Sequence, residues 1–372
     1  MTDSDEQAGT STYSTTLGDR LNEVSRLWVG ALATVLLFLF SIQLLGTATE
    51  AAEPVIERIL RRIVVDDSSA LGLSWLTTYA LTNGSVVAAL SLSLLRSGLA
   101  SVSETFLMII GSRLGGAAIV VLVGALDYLH RRRDRTLSEG TSLGLLTFLV
   151  TFTIYLPVTV LGLVVLGPFR SELLAVTSGF ELSLRSVQYL EPVTDAVTRT
   201  LGPGPSLVVA FALLFGSLWL FDQVLQRVKT ETFRRYVFQH FERRWMAFGI
   251  GLLLTGVTTS VAFSLGIIVP LYNRQFIRRA EIVPYILGAN IGTLFDTLVV
   301  AFVLETTVGV AIVVLIIGLA TLLTSAALVG YGSYAAVIDS GQDRLLEDRR
   351  FFIGFGIVLL TVPLVLLLLP HL

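Results

Sequence analysis

ILGANIGTLFDT, residues 286–297, sets two glycines, an asparagine, two threonines and an aspartate inside a strongly apolar stretch. Hydrocarbon solvates none of these polar groups, and each glycine costs a helix interior about 1 kcal/mol relative to alanine. A polar, glycine-bearing segment of this kind is tolerated at membrane depth only where it is buried in protein or faces a water-filled cavity. The stretch therefore asks what surrounds it.

The surroundings are membrane-grade. Of 372 residues, 53% are hydrophobic and 15% charged, and the mean hydropathy is +0.79. Long apolar runs begin at Leu27, Leu143, Ser206, Val308 and Phe351, each at or just below the length needed to cross the hydrocarbon. The run at Leu27 follows a polar, acidic stretch with no small-residue cleavage site, so it reads as a retained span. The net charge is −2, Lys229 is the single lysine, and there is no cysteine, which excludes disulfides and thiolate chemistry. His130, His240 and His371 have no metal-site spacing, and no Walker motif, Ser/His/Asp set or catalytic carboxylate pair occurs. The expectation is a protein that is not an enzyme, with no cofactor.

The arginines set the expected orientation. HRRRDR, QRVKTETFRRYVFQHFERR, YNRQFIRR and QDRLLEDRR fall on one side if the N-terminus is cytoplasmic; the opposite segments are net acidic. The basic amphipathic stretch from Gln226 suits the anionic inner leaflet of the lipid bilayer, and no nucleic-acid role is expected. The plasma membrane is the expected location.

The chain also repeats itself. Phe40 pairs with Phe215 and Ser85 with Ser260 at one offset, and the glycine motif at Gly111 pairs with that at Gly288 nearly in register. The expected fold is an all-α polytopic membrane protein of two inverted repeats, each a span, a re-entrant hairpin and a glycine-broken helix, as in secondary transporters. The reading divides the chain into a cytoplasmic tail (1–26), a first membrane unit (27–129) and a cytoplasmic loop with a connecting span (130–167). An extracellular loop (168–205), a second membrane unit (206–304) and C-terminal spans (305–372) follow.

Candidate site residues follow from depth and pairing. Gly288, Asn290, Gly292 and Thr293 either pack helices closely or unwind to offer oxygens to a hard cation, with Asp296 alongside. Asn83, Ser85, Thr258, Thr259 and Ser260 form two polar tips that either back-bond to their own helices or line a site. There, helix N-termini would offer N–H groups to an anion. Arg113 lies deep in LMIIGSRLGGAAIVV, where a charge costs about 3 kcal/mol or more and needs a partner or a cavity. Asp296 across the repeat interface is the expected partner, and a planar guanidinium is suited to gripping an oxyanion.

With these residues in view, LGANIGT after a Ser/Thr-rich tip resembles the type II sodium–phosphate cotransporters, in their bacterial and archaeal branch. The likeness runs from Leu27 to about Leu304 and is more divergent in the first repeat, where Arg113 stands in place of the family's asparagine and the tip glutamines are absent. The resemblance implies sodium-coupled symport of inorganic phosphate or a related oxyanion, with sodium ions as coupling ions. The alternative is a relative that no longer transports and serves as a membrane scaffold or regulatory partner.

Overall fold

A computed structural model of the chain describes residues 17–130, 137–167, 190–226, 243–259, 264, 268, 279–347 and 349–371. The described residues form helices and short turns: α1 Leu17–Ala51, α2 Glu53–Ile63, α3 Asp67–Leu81, α4 Gly84–Arg96, α5 Val102–His130, α6 Leu137–Leu166 and α7 Glu191–Leu201. Then come α8 Pro203–Gln226, α9 Arg244–Thr258, α10 Arg279–Gly292, α11 Leu294–Val303, α12 Thr307–Val329, α13 Tyr331–Glu347 and α14 Arg349–Leu368, ending in a short 3-10 turn.

Among the described residues, seven segments are long and apolar enough to cross a membrane: 27–51, 102–123, 142–166, 203–226, 281–303, 307–329 and 350–368. Their outward faces are apolar: Trp28, Leu32, Val160, Val164, Val208, Leu253 and Val257 are exposed. Contiguous exposed apolar surface on this scale marks contact with lipid. This is an all-α polytopic membrane protein.

α3 and α4 are shorter than a span and form a hairpin. A capping box starts α3: Ser69 N donates to Asp66 Oδ1 at 2.8 Å, and Asp66 N donates to Ser69 Oγ at 3.0 Å. Thr82 ends it in the left-handed region (φ 53), and Asn83 caps α4 by accepting from Ser85 N at 3.0 Å and Val86 N at 3.2 Å.

Two helix pairs are built alike. The step that takes Asp67 to Arg244 also takes Leu81 to Thr258, so α3 and α9 have matching ends. It carries the left-handed Thr82 onto the left-handed Thr259 (φ 49) and Gly111 onto Gly288. The contacts follow the same step. A Cβ on Gly111 would lie 2.7 Å from Leu71 O, and one on Gly288 would lie 2.0 Å from Phe248 O. Gly115 would meet Trp75 O at 2.8 Å, and Gly292 would meet Leu252 O at 2.8 Å. The helices approach so closely that only glycine fits between their backbones. By this step Ser85 aligns with Ala262, so the sequence pairing of Ser85 with Ser260 is two residues out of register.

The glycine-broken helix is corrected for the first half, while in the second the helix stops at Gly292 and restarts at Leu294. α5 runs without interruption through Gly111 and Gly115, and α10 through Gly288. Only at Thr293 does the ladder pause before α11, and Thr293 itself keeps helical angles (φ −66, ψ −16). Thr293 N still donates to Ala289 O at 3.0 Å. The glycines serve packing, which a single sequence cannot distinguish from unwinding.

Helix ends meet in two groups. In one, Thr47 bonds Thr194 (3.1 Å), Arg96 pairs with Glu50 (2.7 Å) and Ser68 donates to Leu366 O (3.4 Å). Leu95 and Arg96 also face the segment 304–308 there, across a cavity of about 360 Å³. In the other, Arg279 pairs with Asp339 and Asp343 (3.6 and 2.8 Å), Gln342 donates to Ser142 O (2.7 Å) and Arg244 stacks on Tyr331 (4.8 Å).

The close packing predicts a sharp contrast between glycines. Gly288→Ala should lower the stability of the purified protein by about 1–3 kcal/mol through overpacking. Gly116→Ala, which meets nothing within 4 Å, should be neutral or stabilising. Thermal unfolding in detergent compares the two; equal midpoints would contradict the packing role.

Candidate functional site

The polar residues converge where the two halves meet. α5 carries Arg113 from the first half, α4 carries Ser85, and α11 brings Asp296 and Thr297 from the second. Arg113 Nη2 donates to Asp296 Oδ1 at 3.3 Å and to Thr297 Oγ1. Thr297 Oγ1 in turn donates to Asp296 Oδ1 at 2.9 Å, and Ser85 Oγ donates to Asp296 Oδ2. The side chains of Arg113 and Asp296 are 8% and 2% exposed. The partner expected for Arg113 is the one it has.

The pairing leaves capacity in hand. A single contact at 3.3 Å is longer than the usual 2.7–2.9 Å of charge-assisted bonds and uses one nitrogen of a five-donor fork. Arg113 Nε is buried with no acceptor, a condition that costs about 1–3 kcal/mol. The cation therefore carries a buried donor that its carboxylate does not use.

Asn290, the residue that the repeat step aligns with Arg113, also holds an unmatched atom. Its Oδ1 faces Thr151 Oγ1 at 3.1 Å, and its Nδ2 is buried without a partner. A hydroxyl has one proton, however, and Thr151 Oγ1 also faces Thr147 O at 2.8 Å. Turning the carboxamide end for end lets Nδ2 donate to Thr151 while Thr151 donates to Thr147, which leaves Oδ1 as the free atom. That orientation satisfies more groups and leaves Oδ1 as a buried acceptor without a donor.

Other expected ligands are otherwise engaged. The Asn290 carbonyl accepts from Tyr155 (2.9 Å) and from Thr293 Oγ1 (2.8 Å), so both its lone pairs are taken and it is not a free cation ligand. Gly288 and Gly292 act in packing. Asn83 spends its oxygen on the α4 N-terminus, using N–H groups that the sequence reading left for an anion. Thr258 donates back to Leu254 O at 2.6 Å. Thr259 sits at the end of α9 in the left-handed region, as Thr82 does at the end of α3. A β-branched residue there is strained, and such strain gathers at functional sites. Ser260 lies outside the described residues.

The sequence reading missed Thr297, Thr151 and Tyr155. Thr297 lies seven residues after Asn290, on the same helical face. Thr147, Thr151, Tyr155 and Thr159 recur every fourth residue along α6 and are all buried. That polar stripe within an apolar run is the signal that would have found them.

Arg113 and Asp296, with hydroxyls around them, form a buried charged centre in a bundle of membrane-spanning helices, which is the architecture of a membrane transporter. A family model described as Na+/Pi-cotransporter matches residues 213–365. The match covers less than half of the chain; over those residues the chain is similar to the sodium–phosphate cotransporters, the family that its sequence resembles. No curated protein and no solved structure matches the chain.

Removing one partner of the buried pair should destabilise the protein by about 3–5 kcal/mol, because the other charge is left uncompensated. Arg113→Ala and Asp296→Ala are therefore each expected to unfold earlier than the parent protein, and the double variant should recover most of the loss. Three thermal unfolding curves check this. Additive losses in the double variant would show that the two charges do not depend on each other.

Proposed function

We propose that the protein couples sodium influx to uptake of inorganic phosphate or a closely related oxyanion, with the Arg113 cluster as the substrate site. The observation that carries the reading is the buried, acceptor-less Nε of Arg113, held at the seam between the halves. Arg113 keeps Nη2 on Asp296 and Thr297 and offers its Nε edge to an oxygen of the anion; the planar fork suits tetrahedral oxyanions. Ser85, freed from Asp296 by a rotation of its hydroxyl, adds a second donor. On the cation side, Asn290 Oδ1 in its turned orientation and Thr293 are the oxygens nearest in sequence to the site; sodium favours such hard ligands.

The two similar helix pairs make alternating exposure of this site possible if they are related by inversion. Two contacts support that relation. α3 begins at the rim where Ser68 meets Leu366, whereas its counterpart α9 begins at the rim where Arg244 stacks on Tyr331. Equivalent helices thus enter from opposite ends, which is how inverted repeats place a shared site midway between two gates. The arginine distribution assigns the Tyr331 rim to the cytoplasm. The α3/α4 hairpin is then re-entrant from outside.

Two measurements test this. Reconstituted into liposomes, the protein should accumulate labelled phosphate under an inward sodium gradient and not under an equal potassium gradient; uptake no greater than in protein-free liposomes would contradict transport. For orientation, the chain is free of cysteine, so Ser68→Cys and Ser340→Cys can be labelled singly in intact cells. An impermeant maleimide should reach position 68 and spare position 340, and the reverse pattern would overturn the sidedness.

A further inference from the structure

The repeat step that aligns Arg113 with Asn290 aligns Asp296 with Ile119 and Thr297 with Val120. At these aligned positions the first half therefore has a base and no acid, and the second half an acid and no base. The charged pair is not a feature that both halves share; it is a single link made between them. Arg113 Nη2 bonds a carboxylate oxygen of Asp296 and the hydroxyl of Thr297, and Ser85 bonds the other carboxylate oxygen. Carboxylate and hydroxyl oxygens are ligands of the hard kind that an alkali cation takes, and the cation held here is a guanidinium.

We propose that the Arg113 guanidinium is a tethered cation, held by Asp296 and Thr297 in the place of one co-transported sodium ion. The inference rests on reading this cluster as the transport site. The fit is that of a stand-in. The guanidinium is incompletely matched by its partners: the contact to Asp296 is long at 3.3 Å, and Nε finds no acceptor.

Charge balance gives the consequence. Arg113 and Asp296 sum to zero, so the resting site needs no further cation. With asparagine at 113, as at the equivalent position of the other half, Asp296 is a buried carboxylate alone, and a buried lone charge is retained only if something compensates it. Arginine does not deprotonate and cannot leave with the cargo. Each cycle then moves one sodium ion fewer than in a protein with asparagine in both halves.

The test measures cation binding and not transport. The parent protein, Arg113→Asn and Arg113→Asn/Asp296→Asn are purified, and thermal unfolding is followed in alkaline buffer without phosphate as choline chloride is replaced by sodium chloride. A ligand that binds only the native state raises the midpoint with its concentration. Arg113→Asn should gain a sodium-dependent rise larger than any in the parent protein, and the second substitution should remove that gain. A folded Arg113→Asn whose response to sodium equals the parent's would overturn the proposal, and so would one stabilised by acid but not by sodium. If Arg113→Asn is not recovered in choline buffer, recovery in sodium buffer supports the proposal, whereas recovery only through the second substitution contradicts it. Loss of phosphate uptake leaves this binding result unaffected, so the transport reading and the tethered-cation reading fail separately.

Discussion

One ion pair organises this molecule. Arg113 enters a low-dielectric interior from the first half and Asp296 from the second, and neither charge is stable there without the other. α4 places Ser85 on the carboxylate, α11 supplies Thr297, and α5 has to pass close enough for Nη2 to reach both. The close approach of α3 to α5 and of α9 to α10, where Gly111, Gly115, Gly288 and Gly292 lie against neighbouring backbone, sets the helices on which the site is carried. A pair bridging two halves through one long contact holds them together and still leaves a donor unused.

The readable part of the sequence was the part governed by solvation. Apolar run length gave the spans, and the cost of burying Arg113 pointed to a partner, with Asp296 the acid available at matching depth. Glycine was ambiguous because unwinding and tight packing both select it, and the packing contacts of Gly288 appear only once Phe248 is placed opposite. The tip pairing slipped by two residues because serine and threonine recur throughout these segments, so similarity of type did not fix the register. Thr151 and Tyr155 were hidden inside a span that reads as hydrophobic, although their four-residue spacing puts them on one face.

The family match covers 213–365 and so includes Asn290, Thr293, Asp296 and Thr297 but not Arg113 or Ser85. The second half carries the likeness to sodium–phosphate cotransporters. The role of the first half rests on geometry: where that half lacks an acid, it contributes the base that the second half's acid binds. At equivalent positions of the two halves, the side chains of Arg113 and Asn290 each keep a buried polar atom without a partner.

The central claim is that the Arg113 cluster holds the oxyanion, and equilibrium binding of labelled phosphate to the purified protein tests it most directly. The comparison variant is Arg113→Ala/Asp296→Ala, which removes both charges together and so avoids leaving either one buried alone. Saturable, arsenate-displaceable binding to the parent protein and its loss in the folded double variant is the predicted result. Equal phosphate binding by both proteins would contradict the account and leave the pair a structural tie between the two halves.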